Sequence, residues 1–235
     1  VETLGAYGRI VSAPHYLVPY SLGDKCTLTD QGYRVEQIAV RLAEQGIGTC
    51  YIGSLGREDL VRSRFALPET ARIGAFLVFG YPATSRAGHA INAGVRWLAG
   101  ATNKQPVEHI FCCDTFDNPT TPSADLAPLI EAARHAPSAA NAQPWRFLWQ
   151  GGVLYLFVKR DNPRYGKGPG AEYRLYDGGI CMANVALALD ALGWTGQWQS
   201  LLDGTLEQLD HPPDLQPLAT LRFQPGVIQD RIPDP

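Results

Sequence analysis

Apolar residues recur at helical spacing in three places along the chain. Val35, Ile38 and Leu42 form one stripe, Leu126, Leu129, Ile130 and Ala133 a second, and Met182, Val185 and Leu189 a third. Each predicts a helix with one buried face. Asp30 and Asp177 are expected to cap the first and third helices, Ser123 the second, and Gly46 and Gly193 follow as stops. Pro137 ends the middle helix, because the residue before a proline is driven out of the α region. Between the helices, residues 14–20, 75–79, 153–159 and 219–223 are short apolar runs that predict strands.

The first and third helices resemble each other. Residues 30–51 align with 177–198 without a gap, at an offset of 147. Asp30 meets Asp177, Gly32 meets Gly179, Ile38 meets Val185, Leu42 meets Leu189 and Gly46 meets Gly193. The strand at 14–20 falls opposite 153–159, and the strand at 75–79 falls opposite 219–223. The order strand, helix, strand thus occurs twice, which predicts two copies of one unit, 1–104 and 105–235.

Composition narrows the class. Of the 235 residues, 45% are hydrophobic and 18% charged, with a net charge of −3, which suits a globular protein and gives no electrostatic footprint for nucleic acid. No apolar run approaches the roughly 18 residues of a membrane-spanning helix. Five cysteines, none spaced Cys-x-x-Cys, read as reduced thiols of a cytoplasmic protein, and Cys112-Cys113 is expected on a strand with its side chains on opposite faces. The five histidines show no metal-ligand spacing, so no metal site is expected.

The most specific stretch follows the middle helix: Arg134-His135-Ala136-Pro137-Ser138-Ala139-Ala140-Asn141-Ala142-Gln143-Pro144-Trp145. Small residues let backbone N–H groups approach a ligand closely, and the amides can both donate and accept. This run resembles the flavin-contacting segment of the FMN-dependent nitroreductase family, Arg-x-Ala-Pro-Ser-x-x-Asn-x-Gln-Pro-Trp, at every named position. Residues 46–54, Gly-Ile-Gly-Thr-Cys-Tyr-Ile-Gly-Ser, resemble the family's Gly-Leu-Gly-Thr-Cys-Trp-x-Gly run. The equivalent Gly193-Trp194-Thr195-Gly196-Gln197-Trp198 departs from it, which favours one flavin per chain.

The resemblance implies an α+β, nitroreductase-like fold, here of the fused subgroup: two tandem copies forming an intrachain pseudo-dimer, with antiparallel-rich sheets flanked by helices. It implies FMN bound by Pro137, Ser138, Ala139, Asn141 and Gln143 from one copy and by Ile52, Gly53 and Ser54 from the other. Lys104, two residues before Pro106, matches the family's phosphate-binding cation; its alternative is a solvated loop lysine. Arg86 is a weaker candidate. Trp145 is read either as a pocket wall or as core, while Trp97, Trp194 and Trp198 are read as packing residues. Shifted back by the strand offset, the counterpart of 137–145 falls before residue 1, so the first copy is expected to lack its upstream part and the family's Arg-Arg-Ser-x-Arg anchor.

The implied activity is ping-pong hydride transfer from NADH or NADPH through flavin N5 to a nitroaromatic, quinone or similar small acceptor, with no catalytic side chain. A monomer containing its own pseudo-dimer is expected. The alternative is a flavin-binding or non-catalytic remnant of the fold.

Overall fold

The computed structural model describes residues 13–23, 27–82, 103–202 and 209–225. In the first half β1 (His15–Leu17), α1 (Thr27–Glu44), β2 (Gly48–Gly53), α2 (Glu58–Phe65) and β3 (Ala75–Gly80) follow in order. The second half contains β4 (Phe111–Cys113), α3 (Ala127–His135), β5 (Trp145–Gln150), β6 (Val153–Lys159), α4 (Tyr173–Ala191), β7 (Thr195–Ser200) and β8 (Leu215–Gln224). The architecture is mixed helix and sheet.

Two sheets form. The first has the order β1-β3-β2 and is antiparallel throughout. The second has the order β4-β5-β6-β8-β7, antiparallel except for the short β4–β5 pair. Within it the run β6-β8-β7 repeats the arrangement β1-β3-β2, with α4 placed in sequence as α1 is. The β5–β6 hairpin turns on Gly151 and Gly152, whose φ values of 58° and 77° suit a primed two-residue loop. Pro217 cannot donate to the ladder, and the register against β6 shifts at that point.

α1 and α4 cross at the centre with their backbones in close approach. A Cβ on Gly32 would lie 2.0 Å from the Tyr176 carbonyl oxygen, and one on Gly179 would lie 2.0 Å from that of Thr29. The largest apolar cluster joins α3 and α4 to β5, β6 and β8 through Leu129, Ile130, Phe147, Leu156, Ile180 and Leu221. Smaller clusters lie on the first sheet, around Phe76 and around Leu77.

Several expectations shift by a turn or less. α1 and α4 begin at Thr27 and Tyr173, so Asp30 and Asp177 lie inside the helices instead of capping them. Ser123 contributes its carbonyl, which accepts from Leu126 N at 3.0 Å and Ala127 N at 2.8 Å, and not a hydroxyl cap. Pro14 and Pro19 flank β1 and remove ladder donors, which leaves it three residues long. Ile38 is exposed, while Glu36 is buried with Val35 and Ala39, because this helix covers both a sheet and α4. The predicted helix stops hold: Gly46 and Gly193 take φ values of 74° and 68°. Cys112 and Cys113 are on β4, Cys112 packing beside Phe116. Arg86 and Trp97 lie outside the described residues.

Candidate functional site

The motif loop is built by strain and then held from several sides. α3 ends at His135 because Ala136, ahead of Pro137, is extended at φ −51°, ψ 138°. Ala140, Asn141 and Gln143 then take φ values of 50°, 50° and 46°, the left-handed region that costs a non-glycine residue roughly 1–3 kcal/mol. The turn after β6 compensates. Arg164 Nη1 donates to the carbonyls of Asn141 at 2.7 Å and Ala140 at 3.3 Å, and Asn162 Nδ2 donates to that of Ala142 at 3.1 Å. Ser138 Oγ closes the loop by accepting from Gln143 N at 3.0 Å.

The loop amides clamp the segment that carries Lys104. Asn141 Nδ2 and Gln143 Nε2 both donate to the Asn103 carbonyl at 2.9 Å, and Gln143 Oε1 accepts from Gln105 N at 2.9 Å. Lys104 Nζ is thereby delivered to the end of α3, where it donates to His135 O at 3.2 Å and Ala136 O at 3.0 Å. Carbonyls at a helix C-terminus attract a cation there. Burial lowers the Lys104 pKa, as does the neighbouring Arg134, while Cys181 and Glu36 act against the fall.

Asp177 anchors the loop to α4. Its Oδ2 accepts from Ala139 N at 2.9 Å and from the Tyr165 hydroxyl at 2.8 Å. Burial pushes the Asp177 carboxyl up to about 7, against the lowering effect of these two bonds. The Tyr165 ring stands 6.4 Å from that of Tyr173, the first residue of α4.

Tyr173 meets the other predicted segment. Its hydroxyl sits where a Gly53 Cβ would be, 2.1 Å away, and accepts from Leu55 N at 3.1 Å. β2 is an edge strand, and Ser54 N bonds to Gly74 O at 3.0 Å. By antiparallel alternation the Gly53 N–H therefore points away from β3. The Gly53 turn and the Ser138–Ala139 loop thus flank the first turns of α4, with Tyr165, Tyr173 and Asp177 between them. Ile52 and Ser54 do not join them: Ile52 is buried in the first sheet's core, and the Ser54 hydroxyl donates to Ile73 O at 2.7 Å. Trp145 is fully buried, so its core reading holds.

A buried polar network bridges the two halves beside this site. Tyr51 Oη donates to Glu36 Oε2 at 2.7 Å and Asn184 Nδ2 donates to Glu36 Oε1 at 3.0 Å. Burial raises the Glu36 pKa, opposed by these two bonds and by Lys104. The hydroxyls of Tyr176 and Thr29 are buried nearby with no hydrogen-bond partner among the described residues. On the other side of the motif loop a cleft of about 770 Å³ opens, lined by Lys104, Asn141 and Gln143 together with Arg146, Lys159 and Arg164.

The sequence pattern pointed to Ser138, Asn141, Gln143 and Lys104 but missed the residues that fix them. Asn162-Pro163 carries a turn signal, and the pairing of Asp177 with Asp30 marked a position of interest. Nothing in spacing or composition announced Tyr165, Tyr173 or Glu36. Among the described residues no group of His, Cys, Asp and Glu is placed to hold a metal, and no helix is long and apolar enough to cross a membrane.

Comparison with known proteins follows the same line. The family model described as "Putative TM nitroreductase" matches residues 2–189, most of the chain, and the chain belongs to that nitroreductase family. Membership supports an oxidoreductase of nitroreductase type. The crystal structure of a putative nitroreductase from Thermotoga maritima superposes with a TM-score of 0.52 at 19% identity, covering 88% of this chain and 74% of that one, a likeness of fold. A nitroreductase family protein from Clostridium difficile aligns at 15% identity with a TM-score of 0.31, over 55% of this chain and 84% of that one. No curated protein matches.

Proposed function

We propose that the protein is an FMN-dependent NAD(P)H oxidoreductase, with one flavin lodged where the motif loop and the Gly53 turn approach the start of α4. The observation that carries this reading is that convergence: Gly53 abuts Tyr173, the motif loop bonds Asp177 through Ala139 N, and Tyr165 links the two, bonding Asp177 and facing the Tyr173 ring. The residues fit a flat, anionic-tailed group. Gly53 leaves no Cβ between its backbone and the Tyr173 hydroxyl, its N–H points off the sheet edge, and Lys104 brings a cation to the same loop.

The chemistry that FMN supplies when bound is two-electron exchange at N5, by which NADH or NADPH reduces a nitroaromatic, quinone or similar small acceptor in alternating half-reactions. The chain's own residues bind and orient. Pro137, Ser138 and Ala139 present backbone at the loop's inner side, held there by Asp177; Asn141 and Gln143 hold the Lys104 segment; Gly53 offers its N–H. Ile52 and Ser54 act by fixing Gly53 on the edge strand, through core packing and the bond to Ile73.

The matching strand orders and the reciprocal glycine contacts of α1 and α4 support two tandem copies, 1–104 and 105–235, that pair within one chain. The test is spectroscopic. Purified full chain is expected to show a flavin absorption band that bleaches when NADH or NADPH is added anaerobically. A colourless protein that takes up no FMN on reconstitution overturns the flavin reading. A flavin band that neither nucleotide bleaches leaves a flavin binder and overturns the reductase.

A further inference from the structure

The cleft outside the motif loop is rich in cations that form no ion pair among the described residues. Its wall includes Lys104, Arg146, Lys159 and Arg164, with Asp161 the single carboxylate, in a chain whose net charge is −3. Elsewhere three arginines form ion pairs: Arg62 with Asp59, Arg72 with Glu58 and Glu172, and Arg134 with Glu131. Among the described residues none of the four cleft cations lies within ion-pair distance of a carboxylate.

The geometry of three of them is that of a receptor for an anion. Arg146 is half-buried, its guanidinium held by the carbonyls of Gln143 at 3.2 Å and Trp145, and by Gln105 Oε1 at 3.3 Å. Burial lowers its pKa, with Asp214 and Cys112 acting the other way. A cation kept partly dehydrated at a cleft wall is costly unless an anion meets it. Arg164 uses Nη1 alone for the Ala140 and Asn141 carbonyls, which leaves the rest of the fork for a bidentate partner. Lys159 sits at the end of β6, where its backbone N donates to Pro144 O at 3.0 Å and its ammonium makes no hydrogen bond among the described residues.

Two features choose the class of anion. Among the described residues no Phe, Tyr or Trp lines the cleft, so these read charge and not a ring face. Its volume of about 770 Å³ exceeds what a lone carboxylate fills, and three cations from separate segments call for a multiply charged group. We propose that this cleft binds a diphosphate group on Arg146, Lys159 and Arg164, at a site distinct from the flavin's. The proposal stands independently of the flavin reading, since none of these three residues belongs to either flavin-like motif.

The experiment is calorimetric titration of the full chain with inorganic pyrophosphate, ADP and adenosine, and with sulfate at matched ionic strength. Pyrophosphate and ADP are expected to bind saturably, adenosine and sulfate not. Lys159→Ala and Arg164→Gln are each expected to weaken pyrophosphate by about tenfold or more, as loss of one charge-assisted bond does. Lys159→Ala removes no side-chain hydrogen bond or ion pair among the described residues, so the test stands even if Arg164→Gln loosens the loop. Absence of saturable binding, equal binding of adenosine or sulfate, or unchanged affinity in Lys159→Ala overturns the proposal. A separate arm follows flavin fluorescence while pyrophosphate is added to FMN-reconstituted and riboflavin-reconstituted protein. Release of FMN but not of riboflavin identifies the cleft as the flavin's own phosphate pocket and overturns a distinct site; retention of both supports it. Failure of the flavin reading is read separately, from the absorption band without pyrophosphate.

Discussion

Gly32 on α1 and Gly179 on α4 make the same contact in opposite directions. A Cβ on Gly32 would meet Tyr176 O at 2.0 Å and Ile180 N at 3.1 Å; one on Gly179 would meet Thr29 O at 2.0 Å and Tyr33 N at 2.9 Å. Thr29 and Tyr176, like Tyr33 and Ile180, stand 147 residues apart, the offset that relates the two glycines. Exchange of one helix for the other reproduces the contact, as at an isologous interface between identical subunits. Within one chain such reciprocity supports the tandem-copy reading more strongly than the sequence alignment does, because alanine- and leucine-rich helices align easily and backbone contacts do not.

The reciprocity predicts matched sensitivity. In a helix interior Gly→Ala gains up to about 1 kcal/mol of propensity. Here the added methyl would meet a backbone carbonyl, which cannot rotate away, and overpacking of that kind costs roughly 1–3 kcal/mol or more. Overpacking wins at both sites. Gly32→Ala and Gly179→Ala are each expected to lower the thermal midpoint by several degrees, and the double variant by less than the sum, since one separation of the helices relieves both. A neutral or stabilising effect at either position would show that the helices do not approach this closely.

Asp177 predicts a pH dependence. Its folded pKa of about 7 is raised above the ordinary 3.8. A group raised on folding contributes its full stability below the unfolded value and loses it as pH rises towards the folded one. The protein is therefore expected to lose on the order of a few kcal/mol from this group between about pH 4 and pH 7, and no more above. Asp177→Asn keeps an oxygen to accept from Ala139 N and Tyr165. Denaturant midpoints should fall less steeply with pH in the variant, which should overtake the wild type near pH 8. Parallel curves for the two proteins would place the titration elsewhere.

What could be read in the sequence was local and periodic. The helix stops at Gly46 and Gly193 follow from backbone conformation, and the break at Pro137 from sterics, so all three were legible. β6 fell where an unbroken apolar run placed it. Ile38 went wrong because one-face periodicity cannot describe a helix covered on two sides, where the carboxylate of Glu36 is buried and the isoleucine is not. In the site, the motif marked Ser138, Asn141 and Gln143, whose spacing within one loop is short. Tyr165, in the turn after β6, and Tyr173 and Asp177, on α4, come together beside that loop only in the tertiary fold, which leaves no trace in local spacing.

Glu36 gives a contrast between two substitutions. Glu36→Gln retains an acceptor for Tyr51 or Asn184 and removes a buried charge, so its effect on stability is expected to stay within about 1 kcal/mol. Glu36→Ala leaves the Tyr51 hydroxyl and the Asn184 amide without this acceptor and opens a void, at a cost of roughly 2–4 kcal/mol. Urea unfolding of the two variants distinguishes these outcomes. Equal losses would mean that Glu36 acts through its charge and not through its bonds.

Lys104 separates a structural role from a ligand-binding one. Its ammonium holds the last carbonyls of α3 at 3.0 and 3.2 Å, and a cation at a helix C-terminus is worth about 0.3–1 kcal/mol. Lys104→Met keeps the aliphatic stem and removes only the charge, so the melting point should fall by a few degrees at most. If the same ammonium also meets the flavin phosphate, loss of a charge-assisted bond should weaken FMN by about tenfold or more while leaving riboflavin, which has no phosphate, unchanged. Fluorescence titration of both flavins against wild type and Lys104→Met reads the difference directly. A variant that is slightly less stable yet binds FMN as the wild type does would confine Lys104 to the end of α3.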